Sequence, residues 1–224
     1  MAQTRRTFIK GAALAGAASC FMLPSEALAA LPGSKKRATL PNGAVILFQG
    51  DSITDGNRGR DADPNHIMGH GYAFSVASRL GADFPEKKYN FINRGISGNK
   101  VIDLEKRWKT DVLDLKPDLL SILIGVNDSA SVVTDWKPEV NVADYEAIYR
   151  NLLSQTRAEF PQVRFVLGEP FIQPGSRTKD RWEPYVADIQ ARQAIVRKLA
   201  SEFDAILVEF QHVFDQACSK YPVE

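Results

Sequence analysis

A chain of 224 residues, 44% hydrophobic and 25% charged, is long enough to bury one substantial core and short for two. Lys+Arg number 28 against 27 Asp+Glu, a formal net charge of +1, so no long-range field draws polyanions, and nucleic acid is excluded as an expected partner.

The first residues form a segment apart. Thr4-Arg5-Arg6-Thr7-Phe8-Ile9-Lys10 sets a twin arginine before an apolar run from Gly11 to Leu23, and Ala27-Leu28-Ala29 offers the small residues at which signal peptidases cut. We read 1–29 as a twin-arginine export signal cleaved after Ala29, 30–43 as a linker, and the destination as periplasmic or extracellular. The apolar run is about a dozen residues, below the roughly 20 of a spanning helix, so no permanent membrane anchor is expected. Of the two cysteines, Cys20 leaves with the signal and Cys218 stays, which rules out an intramolecular disulfide in the mature chain. Ala17-Ala18-Ser19 before Cys20 lacks the large apolar residue favoured at lipid-attachment sites.

From Ala44 onward strand and helix patterns alternate. Ala44-Val45-Ile46-Leu47-Phe48 reads as a buried strand, and Tyr72 to Leu80 has helical apolar spacing. Tyr89–Asn93 reads as a second strand, Asp103 to Leu115 as a helix closed by Lys116-Pro117, and Leu119–Ile124 as a strand buried on both faces. Asn141 reads as an N-cap, with Asp144 three positions on, for a helix ended by Pro161. Val163–Leu167 is the fourth strand, Tyr185 to Phe203 a long helix, and Ala205–Phe210 the fifth strand. Strands alternating with helices specify a parallel sheet covered on both faces.

Open parallel sheets place their ligands at the carboxyl ends of the strands, and the chemistry-bearing residues collect there. The first strand runs into Gly50-Asp51-Ser52, making Ser52 a candidate nucleophile. The second runs into Asn93-Arg94-Gly95-Ile96-Ser97-Gly98, whose glycines allow a tight turn with exposed N–H groups. The third runs into Gly125-Val126-Asn127-Asp128, bringing a side-chain amide to the same rim. A hydroxyl and amide donors on one edge is what acyl transfer requires: a nucleophile, and donors for the oxyanion of a tetrahedral intermediate.

These blocks resemble the SGNH (GDSL-type) hydrolases, a family of esterases and lipases: Gly50-Asp51-Ser52 its first, Asn93-Arg94-Gly95 with Ser97-Gly98 its second, Gly125-Val126-Asn127-Asp128 its third. The resemblance runs from about Val45 to Val213. It implies a flavodoxin-like three-layer α/β/α sandwich of five parallel strands, with Ser52 as nucleophile. The oxyanion is then held by the N–H groups of Ser52 and Gly95 and the side-chain amide of Asn127. Neither metal nor organic cofactor is required. Glu169-Pro170-Phe171 resembles members acting on acylated carbohydrate, so the implied substrate is a small-molecule or carbohydrate ester with short acyl groups.

The family's base is the His of an Asp-x-x-His element after the fifth strand, and none follows that strand here. The 44–224 domain is therefore expected to stop before the catalytic His and the final helix, and to be impaired as an esterase. The alternatives are a gene fragment or a non-catalytic carbohydrate- or acyl-binding domain. The histidines are His66, His70 and His212, of which only His212 lies beyond the fifth strand.

Further residues are assigned to substrate contact or to bland roles. Asp51, Asp128 and Trp136 are candidate substrate-binding residues, and Trp182 could line the same pocket. Asp51 as a phosphoacceptor fails because Ile53 stands where a haloacid-dehalogenase-like site needs an acid. The acidic run Asp61-Ala62-Asp63-Pro64-Asn65-His66 lacks the Gly and Glu of a calcium loop. Arg58 and Arg60 are placed to meet an anionic substrate group or to be merely solvated.

Overall fold

The computed structural model describes residues 39–60, 66–137 and 140–221. The export signal of 1–29, most of the 30–43 linker and the acidic residues Asp61–Asn65 lie outside the described residues. The elements below belong to the compact unit Leu40–Glu224.

Five strands, β1 (Val45–Gly50), β2 (Asn90–Asn93), β3 (Leu119–Leu123), β4 (Arg164–Gly168) and β5 (Ile206–Val208), form one sheet in the order β2-β1-β3-β4-β5. Every neighbouring pair is parallel, as the alternation of strand and helix requires. The connecting helices are α1 (Ser52–Asp55), α2 (Tyr72–Asp83), α3 (Val101–Asp111), α4 (Val126–Val133), α5 (Val142–Glu159) and α6 (Trp182–Glu202), with α7 (Phe210–Lys220) after β5.

The two faces follow from the alternation of side chains along a strand. From β1, Leu47 enters the main core, packed among Leu104 and Trp108 of α3, Tyr149 and Leu152 of α5 and Val196 of α6. Ile46 and Phe48 point the other way, toward Ala73, Tyr72 and Leu80 of α2. Trp108 is buried and satisfied, its Nε1 donating to Thr156 Oγ1 at 3.0 Å. The layers are thus helix, sheet, helix. The α2 face is the thinner one: a groove of about 380 Å³ stays open there, walled by Phe48, Tyr72, Val76, Val166 and Phe210, and α7 has no fully buried residue.

The expected Asn141 cap is present, with Asn141 Oδ1 accepting from the Asp144 N–H at 2.9 Å. Two elements were not legible in the pattern. α1 is a single turn, and α4 begins inside the Gly125-Val126-Asn127-Asp128 block. Among the described residues no helix is long and apolar enough to cross a membrane.

Candidate active site

The sheet order sets the geometry of the rim. β1 lies between β2 and β3, so Ser52, directly after β1, is flanked by the loop that leaves β2 and the helix that leaves β3. Ser52 opens α1 and is exposed. Asp51 is its N-cap, Oδ1 accepting from the Ile53 N–H at 3.0 Å. Ser52 Oγ makes no hydrogen bond among the described residues.

The β2 loop is fastened on several sides. Asn93 Nδ2 donates to the carbonyls of Thr54 at 2.7 Å and Met68 at 3.0 Å, locking the end of α1 to the segment before α2. Asn93 Oδ1 accepts the Gly95 N–H at 2.9 Å. Gly95 is buried, and a Cβ there would run into the backbone of Thr54 and Asp55. Its glycine is required for close packing on α1, and its N–H is spent on Asn93. The expectation that Gly95 donates to an oxyanion is corrected by these contacts.

The loop's available donor is three residues on. Asn99 N–H bonds the Ile96 carbonyl at 3.2 Å, closing a turn with Gly98 in third place at φ +84, the backbone that a type II turn gives to glycine. Gly98 is exposed, and its N–H has no acceptor among the described residues. Asn127, on α4, donates one Nδ2 proton to the Asn99 carbonyl at 3.0 Å, which holds its amide beside Gly98 and leaves the second proton uncommitted.

Two residues that sequence reasoning passed over hold this arrangement. Arg107 of α3 donates from Nη1 to the Arg94 carbonyl at 2.8 Å, from Nε to Asn99 Oδ1 at 3.0 Å and from Nη2 to the Gly50 carbonyl at 3.4 Å. Asp55 accepts from Ser97 N–H at 3.0 Å, Ser97 Oγ at 2.9 Å and Arg60 at 2.7 Å. Burial works to raise the Asp55 carboxyl, but the hydrogen bonds from Arg60, Ser97 and Arg58 outweigh it and hold it at about 2. No motif spacing marks either residue.

Asp51 and Asp128 are corrected as substrate contacts because both are buried, at 1% and 0% exposure. Asp128 instead accepts the Val101 N–H at 3.1 Å, at the start of α3. Burial pushes Asp51 up to about 7, and the nearby Asp128 adds to the rise. Burial likewise lifts Asp128 to about 6, against the pull of Arg192. Trp136 stands on the surface past α4, 67% exposed, with the Lys137 ammonium 5.7 Å from its ring centroid. Trp182 packs on Ile172, Tyr185 and Ile189.

No histidine among the described residues bonds Ser52. The His66 and His70 rings meet edge to face with centroids 5.6 Å apart, and His212, exposed on α7, pairs with Gln216 at 2.9 Å. The chain does spell one Asp-x-x-His, Asp63-Pro64-Asn65-His66, before α2 rather than after β5, and Asp63 lies outside the described residues. Among the described residues no group of three or more His, Cys, Asp or Glu is placed to hold a metal ion.

Comparison with known proteins bears on the family and the fold. Residues 48–222 match the model of the GDSL-like Lipase/Acylhydrolase family. An acetylxylan esterase of Geobacillus stearothermophilus is 34% identical over 181 residues, which is 78% of this chain and 80% of the relative. A solved variant of an acetylxylan esterase from that organism superposes with a TM-score of 0.71 at 33% identity, covering 81% of this chain and 83% of its own. A structure from Parabacteroides merdae described as GDSL-like reaches a TM-score of 0.77 at 39% identity, covering 82% and 85%. The solved Geobacillus variants described as catalytic mutants replace one serine, one aspartate and one histidine.

Proposed function

The chain belongs to the GDSL-like lipase/acylhydrolase family, whose chemistry is carboxylic ester hydrolysis, and from that premise we propose that it acts on acetyl esters of carbohydrate. The substrate class rests on the identity with acetylxylan esterases across most of both chains. What supports the site is the sheet order: Ser52 follows β1, which lies between the two strands whose following segments carry Gly98 and Asn127.

In this reading Ser52 Oγ attacks the acetyl carbonyl. The carbonyl oxygen takes up negative charge and accepts from Gly98 N–H, Ser52 N–H and the second Nδ2 proton of Asn127. Collapse of the tetrahedral intermediate breaks the bond to the sugar oxygen, which leaves as the alcohol after protonation. Water then attacks the acetyl-serine and releases acetate. Gly98 takes the role first expected of Gly95.

The proton on Ser52 needs a base, and within these 224 residues no Asp-x-x-His follows β5. Nucleophile and oxyanion donors without a histidine leave roughly 10³ to 10⁴ of rate over water, about a million-fold below a complete triad. We therefore expect these residues to bind acetylated sugar and turn it over slowly. Export by the twin-arginine route is part of the same proposal, supported by Arg5-Arg6 and the small residues at Ala27-Leu28-Ala29.

The test is hydrolysis of p-nitrophenyl acetate and of acetylated xylo-oligosaccharide by the 224-residue chain, with and without added imidazole as a diffusible base. A slow rate that imidazole raises in the parent above the Ser52→Ala variant supports the reading. Equal rates in parent and variant under both conditions overturn it, and saturable binding of the sugar with no such rate assigns the chain to binding alone.

A further inference from the structure

Outside the catalytic rim, a cleft of about 290 Å³ runs along the outer edge of β2, and Arg58, Arg60 and Arg94 line it. Among the described residues the charges there are not balanced. Arg60 is paired with Asp55 at 2.7 Å. Arg94 reaches Asp111 only at 4.0 Å, and that carboxylate is already held by Arg107 at 2.6 Å. Arg94 Nε is buried without a hydrogen-bond partner. Arg58 spends Nε on the Gly95 carbonyl at 2.9 Å, and its terminal nitrogens have no acceptor among the described residues. Positive neighbours Arg60 and Arg94 add to burial in lowering the hold of Arg58 on its proton.

The backbone contributes donors of the same kind. β2 is an edge strand, and the N–H groups of Asn90 and Arg94 point inward to the carbonyls of Ala44 and Phe48. By the alternation of a strand, those of Phe91 and Asn93 point outward into the cleft. Ile67, 43% exposed, supplies an apolar wall. Guanidinium forks and outward N–H groups beside an apolar surface match a planar carboxylate carried on a sugar ring.

We propose that this cleft is a subsite for a carboxylated sugar, a uronic acid unit borne by the acetylated carbohydrate whose ester meets Ser52. The inference rests on the carbohydrate-ester reading above. The placement fits one substrate spanning both: Ser52 and Asp55 are the two ends of α1, one turn of about 5 Å, and Arg58 and Arg60 bond to Asp55. The cleft is lined by Arg94, the first residue of the loop that also carries Gly98. Its volume lies just below the roughly 300–1,000 Å³ of ligand pockets, which suits one sugar unit rather than a chain.

The test is calorimetric titration of the 224-residue chain with D-glucuronate, with D-xylose as the neutral probe and inorganic phosphate as the non-sugar anion. Glucuronate is expected to bind at least tenfold more tightly than xylose, to weaken with added salt, and to lose at least tenfold in affinity in Arg94→Gln. Arg58→Gln gives a second reading, and circular dichroism checks that both variants are folded. Glucuronate binding no better than xylose overturns the proposal, as does unchanged affinity in both folded variants. Phosphate binding as tightly as glucuronate also overturns it, by showing a site for any anion. Glucuronate binding in a chain without Ser52-dependent hydrolysis leaves the subsite standing and removes the catalytic reading; hydrolysis without glucuronate binding does the reverse.

Discussion

Asn127 and Asn99 are joined by a 3.0 Å hydrogen bond from a side-chain amide on α4 to a backbone carbonyl in the loop after β2. The bond ties the loop after β2 to the start of α4, the two segments that flank the end of β1 and Ser52, and so sets the width of the proposed oxyanion site. It uses one of the two Nδ2 protons of Asn127 and leaves the other without an acceptor among the described residues.

Asn127→Ala removes that donor. The Ser52-dependent part of the hydrolytic rate, defined as the part lost in Ser52→Ala, is expected to fall by about 10²- to 10³-fold. A fall of less than threefold in an otherwise folded variant would show that the amide has no part in the transition state.

Gly95→Ala and Gly98→Ala separate a packing glycine from a functional one. At Gly95 a methyl group collides with the α1 backbone, and overpacking of this kind costs about 1–3 kcal/mol or more. At Gly98 a methyl group meets no atom within 4 Å, so the cost is the left-handed backbone alone, about 1–2 kcal/mol. Thermal melts should show the larger drop for Gly95→Ala. If Gly98→Ala is the less stable of the two, the assignment is reversed.

Asp51 and Asp128 make stability depend on pH. The Asp51 carboxyl binds its proton more tightly in the folded chain, at about 7 against an ordinary 3.8, and Asp128 does so at about 6. The folded state therefore holds more protons than the unfolded one between these values, and the contribution of both groups to stability falls as pH rises from about 4 to about 7. Asp51→Asn keeps the acceptor for Ile53 and removes one titration. Its melting temperature should gain on the parent across pH 4–7, and parallel profiles would contradict the assignment.

Asp55 has the opposite sign. Its carboxyl is held at about 2, so its contribution is present above about 4 and lost as pH falls toward 2. Asp55→Asn should destabilise the chain by about 2 kcal/mol at pH 7, a figure kept low because Arg60 is half exposed. The gap from the parent should close by pH 2; a gap constant from pH 7 to pH 2 would assign the loss to packing.

The linear pattern of residues determined the layer architecture, because strand and helix periods are local properties of the chain. Leu119–Leu123 is apolar on both faces and can only be an interior strand, and Asn141 caps the helix that its own spacing announces. The same locality gave Ser52, which follows a buried strand and must stand at a sheet edge. What only the tertiary structure decided was adjacency. The sheet order puts β1 between β2 and β3, and no local signal carries that order. It also settled which glycine of Gly95-Ile96-Ser97-Gly98 is packed and which is open, since the answer depends on Thr54 and Asp55 arriving from α1. Asp51 and Asp128 moved from expected contacts to buried supports for the same reason: a carboxylate's surroundings are built from residues distant in the chain.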